Sequence, residues 1–256
     1  MLLAIDSGNT NVVFAIYDGE DCRVTWRCGN HPKRTADEYA VWLTQLLDLE
    51  GLASKDIDGA ILASVVPEAK INLIQLCQQY LKCAPMLIDD PEVDLGLDIM
   101  LERPDHVGDD RIANAVAAYG RFGGPLIIVD FGTATTFDVI DAAGNYTGGI
   151  IAPGVNLSVE ALYQAAARLP RISVEQPSSV IGKSTVPAMQ SGVFWGYVGL
   201  IEGLIARITQ EYGQELKAVA TGGLAQIFTD ATDSIEANDP DMTTRGLAQI
   251  YLRNAK

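Results

Sequence analysis

The residues best suited to chemistry lie at the tip of a short polar turn. Asp6, Ser7, Gly8, Asn9, Thr10 and Asn11 separate two apolar runs, Leu3-Ala4-Ile5 and Val12-Val13-Phe14-Ala15-Ile16. Small residues and a glycine between two strands leave backbone N–H groups free to face a ligand, which is the physics of an anion-binding nest. Asn9, Thr10 and Asn11 add side-chain donors, and Asp6 at a strand end is placed to hold a cation or its waters. An ordinary hairpin turn would use Asn and Gly equally well. A repeat 124 residues downstream shifts the balance: Ile127-Ile128-Val129 leads into Asp130-Phe131-Gly132-Thr133, and Phe137-Asp138-Val139-Ile140 returns. Asp6 aligns with Asp130, Gly8 with Gly132, Asn9 with Thr133 and Ile16 with Ile140. Two such turns can clamp the ends of a polyphosphate. Neither is a P-loop, because no Gly-Lys-Ser/Thr follows, and the later Gly182-Lys183-Ser184 has Pro177 where that motif needs its first glycine.

A second group of candidates is Gly108, Asp109, Asp110 and Arg111, with Asn114 behind them, opening a segment rich in small residues through Ala118. Acids in a first helical turn complement the macrodipole and cap free amides, so a capping role competes with a chemical one.

The elements that must position these groups follow from periodicity. The first hairpin is followed by a weakly alternating third strand at residues 22–27. Thr35 with Glu38 forms a capping box for a helix whose apolar stripe is Tyr39, Trp42, Leu43, Leu46 and Leu47, ended by Gly51. Residues 59–64 read as a buried strand, Pro67 starts a helix, residues 86–88 form a further strand, and residues 89–103 carry no period and form a connection. After the second hairpin, residues 148–154 continue the sheet, and helices are expected from Asn156 to Ala167 and from Pro187 onward. The latter carries Gly192, Gly196, Gly199 and Gly203, a cost of roughly 1 kcal/mol each that close approach of another backbone, from the other domain or from a second subunit, would offset. Residues 218–221 run into Gly222-Gly223 and a helix, echoing the strand and turn at residues 61–67. A repeat of this length is a domain and not a solenoid unit, so the chain reads as a duplicated α/β domain.

Composition narrows the partners. The formal net charge of −15 repels nucleic acid and anionic membrane surfaces, so an anionic ligand needs local basic groups or backbone amides. Cys22, Cys28, Cys77 and Cys83 lack the spacing of a zinc or redox motif, and two histidines offer little help, so reduced cysteines in a cytoplasmic protein are expected. Asp6 interrupts the hydrophobic start, which has no basic region ahead of it, so it does not read as a signal peptide. The most apolar later stretch, residues 193–205, is short for a membrane span and contains Glu202.

The duplicated hairpins and the late Thr221-Gly222-Gly223 turn resemble the actin-like ATPase and sugar-kinase superfamily. More narrowly, the chain is similar to the type III pantothenate kinases. The similarity rests on Asp6-Ser7-Gly8-Asn9-Thr10, Gly108-Asp109-Asp110-Arg111 with Asn114, Asp130-Phe131-Gly132-Thr133-Ala134-Thr135-Thr136, and Gly182-Lys183-Ser184-Thr185 leading to Ser191-Gly192. These blocks occur in family order over nearly the whole chain.

The resemblance implies an α/β fold of two duplicated ribonuclease H-like domains, residues 1–115 with the first phosphate loop and residues 116–256 with the second, and an active site in the cleft between them. It implies ATP-dependent phosphorylation of the primary hydroxyl of pantothenate, the first step of coenzyme A synthesis. Asp6, Ser7, Gly8, Asn9, Thr10, Asn11, Val12 and Val13 would then form the first ATP phosphate loop, with Thr133 a further ATP contact. Asp130 would bind the monovalent cation, potassium or ammonium, that the family requires. Gly108, Asp109, Asp110, Arg111 and Thr185 would line the pantothenate site, with Asp110 the general base. Mg2+ is expected with the ATP phosphates. A homodimer is expected by the same resemblance, and neither nucleic acid nor membrane as a partner. The chain departs from the family pattern at Asp109, where alanine is usual, and at Leu101, where a tyrosine is common ahead of the proline matched to Pro104. The rival functions are an actin-like kinase for another small hydroxyl substrate and a nucleotide-binding regulator without kinase activity.

Overall fold

The computed structural model describes residues 1–31, 33–166 and 169–255. The chain forms two compact units, Met1–Arg121 together with Asp241–Lys256, and Phe122–Pro240. Each contains a five-stranded mixed sheet. The sequence expectation divided the chain at residue 115, within what is one continuous helix, and gave all that follows to the second domain.

In the first unit, β1 (Leu2–Ser7), β2 (Asn11–Asp18) and β3 (Asp21–Gly29) form an antiparallel meander, and β4 (Gly59–Ser64) and β5 (Met86–Leu87) extend it in parallel on the other side of β1. Strands β1 and β4 are buried almost throughout, as strands covered on both faces must be, and their runs of Leu, Ile and Ala supply that. On the exposed edge β3 carries alternate charged and apolar residues. β1 pairs with β4 from Leu2 opposite Gly59 to Ser7 opposite Ser64, so the two strands end side by side. Helix α1 (Ala36–Leu49) starts with both capping-box bonds in place: Glu38 N–H donates to Thr35 Oγ1 at 3.3 Å and Thr35 N–H to Glu38 Oε2 at 2.8 Å. Its buried Tyr39, Leu43 and Leu47 join Leu3, Ile5 and Phe14 of the sheet and Leu73 and Leu76 of α2 (Pro67–Leu76) in one core. Helix α3 (Asp109–Phe122) follows the connection, buried through Ile112, Ala113, Ala115, Ala117 and Ala118.

The second unit repeats the plan. Strands β6 (Leu126–Phe131), β7 (Ala134–Ile140) and β8 (Tyr146–Pro153) are antiparallel, and β9 (Lys217–Gly222) and β10 (Ala237–Asn238) run parallel beyond β6. The order β10-β9-β6-β7-β8 is that of the first sheet with each strand replaced by its counterpart, so the expected duplicated α/β fold holds. Between β8 and β9 lie α4 (Val155–Ala165) and α5 (Thr185–Tyr212), and α6 (Ala225–Thr229) follows β9. The expected end of α4 at Ala167 lies outside the described residues. Helix α5 begins two residues ahead of the expected Pro187. Phe194, Val198, Ile201 and Ile205 of α5 pack on Ile127, Val129 and Phe137 of the sheet.

One expectation about α5 changes. The stretch read as too short for a membrane belongs to a helix of 28 residues, long and apolar enough by length and composition to cross one, yet its buried face belongs to the core of this unit. Among the described residues a Cβ at Gly192, Gly196 or Gly199 of this helix would meet nothing within 4 Å.

A helix absent from the sequence expectations, α7 (Met242–Asn254), packs in the first unit. Thr244 Oγ1 lies 3.1 Å from the buried Tyr17 hydroxyl, and Thr243 Oγ1 donates to Asn114 Oδ1 at 2.8 Å. At Gly246 a Cβ would run into the carbonyl of Ala113, so only glycine lets α7 lie this close to α3. Gly246→Ala is expected to lower stability by about 1–3 kcal/mol through overpacking, read as a shift of the urea midpoint at constant slope.

Candidate functional site

The candidate residues divide by unit: residues 6–13 and 108–111 belong to the first, and Asp130, Thr133 and Thr185 to the second.

In the first unit the hairpin tip is exposed at Asn9, Thr10 and Asn11, while Asp6, Gly8 and Val13 are half-buried. Gly8 N–H closes the turn onto the Asn11 carbonyl at 3.0 Å. Ser7 and Val12 are fully buried. The Val12 side chain packs in the core, so what Val12 can offer a ligand is backbone. Both halves of Ser7 are engaged: its carbonyl accepts from Val65 N–H at 3.1 Å, and its hydroxyl accepts from the Asn30 side chain at 3.3 Å. Asn30, immediately after β3, also donates its side-chain amide to the Gly8 carbonyl at 2.6 Å and its backbone N–H to the Thr10 carbonyl at 2.8 Å. Nothing in the sequence singles Asn30 out. It stands in an aperiodic loop twenty or more residues from its partners.

The start of α3 is tied to the same corner. Ser64, at the end of β4 opposite Ser7, donates its backbone N–H to Asp109 Oδ2 at 3.0 Å. Asp109 thus serves as the anchor of the helix start, which is the capping alternative weighed for this pair of acids. Burial pushes its carboxyl above the ordinary value; the Ser64 amide and Lys70 pull it back, while Asp89 and Asp110 push it further up. Lys70 itself pairs with Asp89 at 2.5 Å. Asp110 is half-buried and its Oδ1 accepts from Arg111 N–H at 2.8 Å. A Cβ on Gly108 would sit 2.6 Å from that same Oδ1, so the glycine makes room for the carboxylate. Asn114 is buried and holds α7, a structural role.

The second unit builds the equivalent corner with glycines. Asp130, next to last in β6, lies opposite Thr221 of β9, and Gly132 N–H closes the turn onto the Ala134 carbonyl at 3.1 Å. Gly222 has φ +96°, and a Cβ there would come within 2.6 Å of Asp130 Oδ1. Gly154, after β8, packs so closely on the tip that a Cβ would lie 2.8 Å from the Gly132 carbonyl and against that of Thr133. Thr133 is exposed. Thr185 opens α5 and lines a groove of about 670 Å3 between α4 and α5, with Leu162, Met189, Gly192, Gly196 and Tyr197 among its walls. Among the described residues no group of three or more His, Cys, Asp or Glu side chains could hold a metal by itself.

A family description for type III pantothenate kinase matches residues 2–207. The chain is 60% identical to the type III pantothenate kinase of Paramagnetospirillum magneticum, over 100% of this chain and 98% of that one. It is 59% identical to that of Rhodospirillum rubrum, over 99% of each. The chain belongs to the type III pantothenate kinase family. Two solved structures share the fold at low identity. One is a Campylobacter jejuni protein assigned to the Baf family of transcriptional activators, with TM-score 0.61, 21% identity and 98% of each chain covered. The other is the activator of the 2-hydroxyisocaproyl-CoA dehydratase from Clostridium difficile, with bound ADPNP, with TM-score 0.55, 12% identity, and 100% and 98% of the chains covered. The two-unit α/β fold is thus shared with both. The family match ends within α5, so α7, which completes the first unit, lies beyond it.

The Asp109 environment has a testable consequence. A carboxyl whose pKa is raised by folding binds more protons in the folded than in the unfolded state between the two values. Its contribution to stability is therefore full below the unfolded value near 3.8 and is lost as pH rises through the folded one. Asp109→Asn keeps an acceptor for Ser64 and removes the charge. The variant should gain stability over the parent as pH rises from 4 to 7, and no gain should remain at the acid end, as measured by urea unfolding across that range.

Proposed function

We propose that this chain transfers the γ-phosphoryl group of ATP to the primary hydroxyl of pantothenate, giving phosphopantothenate and ADP, the first step of coenzyme A synthesis. The observation that carries the reading is the bond from Ser64 N–H to Asp109. With Val65 N–H on the Ser7 carbonyl, it fastens the start of α3 and the end of β1 to consecutive residues of one strand end. A carboxylate at that helix start and an amide-rich hairpin at that strand end are the two things phosphoryl transfer to an alcohol needs from a protein.

In this reading the backbone amides and side chains of residues 6–13 cradle the ATP phosphates, with Thr133 a further contact. Asp110 orients the pantothenate hydroxyl and accepts its proton as the oxygen attacks the γ-phosphorus and the bond to ADP breaks. Arg111 pairs with the substrate carboxylate or with charge on the transferred group. Gly108 leaves room for Asp110, Asp109 holds the helix start, and Thr185 contributes from the second unit. Mg2+ suits a donor set of one or two carboxylates with phosphate oxygens, and the described residues offer no larger cage. Asp130, its carboxylate packed against Gly222, is the residue assigned to the potassium or ammonium ion, which would supply fixed positive charge near phosphate. The compartment we assign is the cytoplasm, where ATP and reduced thiols are at hand.

A coupled assay for ADP release should show pantothenate-dependent turnover that rises with potassium. Asp110→Asn should lower kcat by about a hundredfold to ten-thousandfold, the range for a lost general base, while the affinity for a non-hydrolysable ATP analogue stays near that of the parent. Near-normal turnover in Asp110→Asn would reject the assigned base. ATP binding without transfer to pantothenate under saturating potassium would favour the regulator reading, and turnover with other hydroxyl acceptors alone would favour a different kinase.

We also assign this chain a homodimer seated on the exposed glycine face of α5, since a Cβ at Gly192, Gly196 or Gly199 would meet nothing within 4 Å among the described residues and a second copy would offset their cost. Sedimentation should give twice the chain mass, and Gly196→Leu should move the protein toward monomer.

A further inference from the structure

The tip of the first hairpin is open to solvent, yet its peptide planes are not free to turn. A nest binds an anion through N–H groups, and a peptide that flips presents its carbonyl oxygen instead and repels the same anion. Two of the carbonyls that could do so, those of Gly8 and Thr10, are both held by Asn30: Gly8 by the side-chain amide at 2.6 Å and Thr10 by the backbone N–H at 2.8 Å. A third contact, 3.3 Å from the side-chain amide to Ser7 Oγ, fixes the rotamer. Asn30 is 9% exposed, and its Oδ1 is buried with no hydrogen-bond partner among the described residues. Turning the amide over would not relieve that, because it would set two oxygens 2.6 Å apart. The residue therefore forgoes one buried hydrogen bond, an unfavourable arrangement, to present its donor to the hairpin. The second unit solves the same problem at the matching place after its third strand, where the Gly154 backbone packs on the carbonyls of Gly132 and Thr133.

We infer that Asn30 is a positioning residue for nucleotide: it locks the Gly8–Asn9 and Thr10–Asn11 peptides with the N–H groups of Asn9 and Asn11 available to phosphate, without touching the phosphate itself. This rests on the reading of residues 6–13 as the ATP phosphate loop, and the test separates the two.

Asn30→Asp keeps the shape and replaces the donor with an acceptor, and Asn30→Thr keeps one short donor. Binding of a non-hydrolysable ATP analogue, followed by calorimetry, should weaken about tenfold or more in Asn30→Asp and less in Asn30→Thr, the scale of one buried hydrogen bond lost. The KM for ATP should rise in step, while kcat at saturating ATP and the KM for pantothenate stay close to the parent, a split that general loosening of the fold would not give. In the parent protein, nucleotide should slow hydrogen exchange at the backbone amide of Asn30 together with that of Gly8. Parent-like nucleotide affinity in Asn30→Asp, or exchange at Asn30 indifferent to nucleotide, overturns the inference. If the Asp variant does not fold, as thermal unfolding would report, the exchange measurement on the parent decides. Failure of the parent itself to bind the analogue would instead count against the phosphate-loop reading.

Discussion

The first unit depends on how the end of β1 is held. Ser7 is fully buried, opposite the last residue of β4, and every polar group it carries beyond its strand pairing is committed: the carbonyl to Val65 and the hydroxyl to Asn30. Buried polar groups demand partners, so this corner cannot shift one strand without leaving an amide or a carbonyl unpaired. Three segments distant in sequence, the loop after β3, the exit of β4 and the start of α3, are thereby fixed to one point. The exposed tip can be open and polar because the residue beneath it is closed.

The second unit meets the same geometric demand with different chemistry. Ser64, whose amide reaches α3, has Gly222 as its counterpart, and the left-handed φ of Gly222 brings the chain so close to Asp130 that any side chain would displace the carboxylate. Asn30 has Gly154 as its counterpart. Hydrogen bonds hold the first hairpin, and close backbone packing holds the second. A duplicated fold is free to diverge in this way because what it conserves is the position of two turns relative to their own sheet.

Local signals in the sequence were enough for the elements they govern. The Thr35–Glu38 capping box, the hairpins and the Pro67 helix start each depend on residues within a few positions, and each is where local chemistry puts it. Thr185, not Pro187, starts α5, because the first helical amides need no partner and a proline costs nothing as the third residue of the helix. Long-range packing was not legible. The buried face of α7 mixes Met242, Leu247 and Ile250 with Thr244, Gly246 and Ala248, a weak hydrophobic stripe whose fit becomes visible only against Ala113 and Tyr17. Asn30 left no pattern at all, since a single amide in a loop has no period. The two hairpins were recognisable because each repeats the other, whereas nothing local in the sequence shows which of the adjacent acids Asp109 and Asp110 reaches the Ser64 amide.

The bond to Ser64 explains why a carboxylate stands at position 109, where a methyl group would fill the space with less electrostatic strain. The amide of Ser64 emerges at the end of β4 with α3 starting beside it, and a buried amide there needs an acceptor. An alanine at the helix start supplies none, so a water or another carbonyl would have to. Asp109 supplies it from within the chain, at the cost of burying charge next to Asp110 and Asp89, and the residual repulsion is met by Lys70, which itself pairs with Asp89. The helix start is consequently held by a bond that can be neither lengthened nor rotated without exposing an unpaired amide. Asp110, one residue on and folded back over Gly108, takes its position from that bond, so the two acids are coupled through geometry.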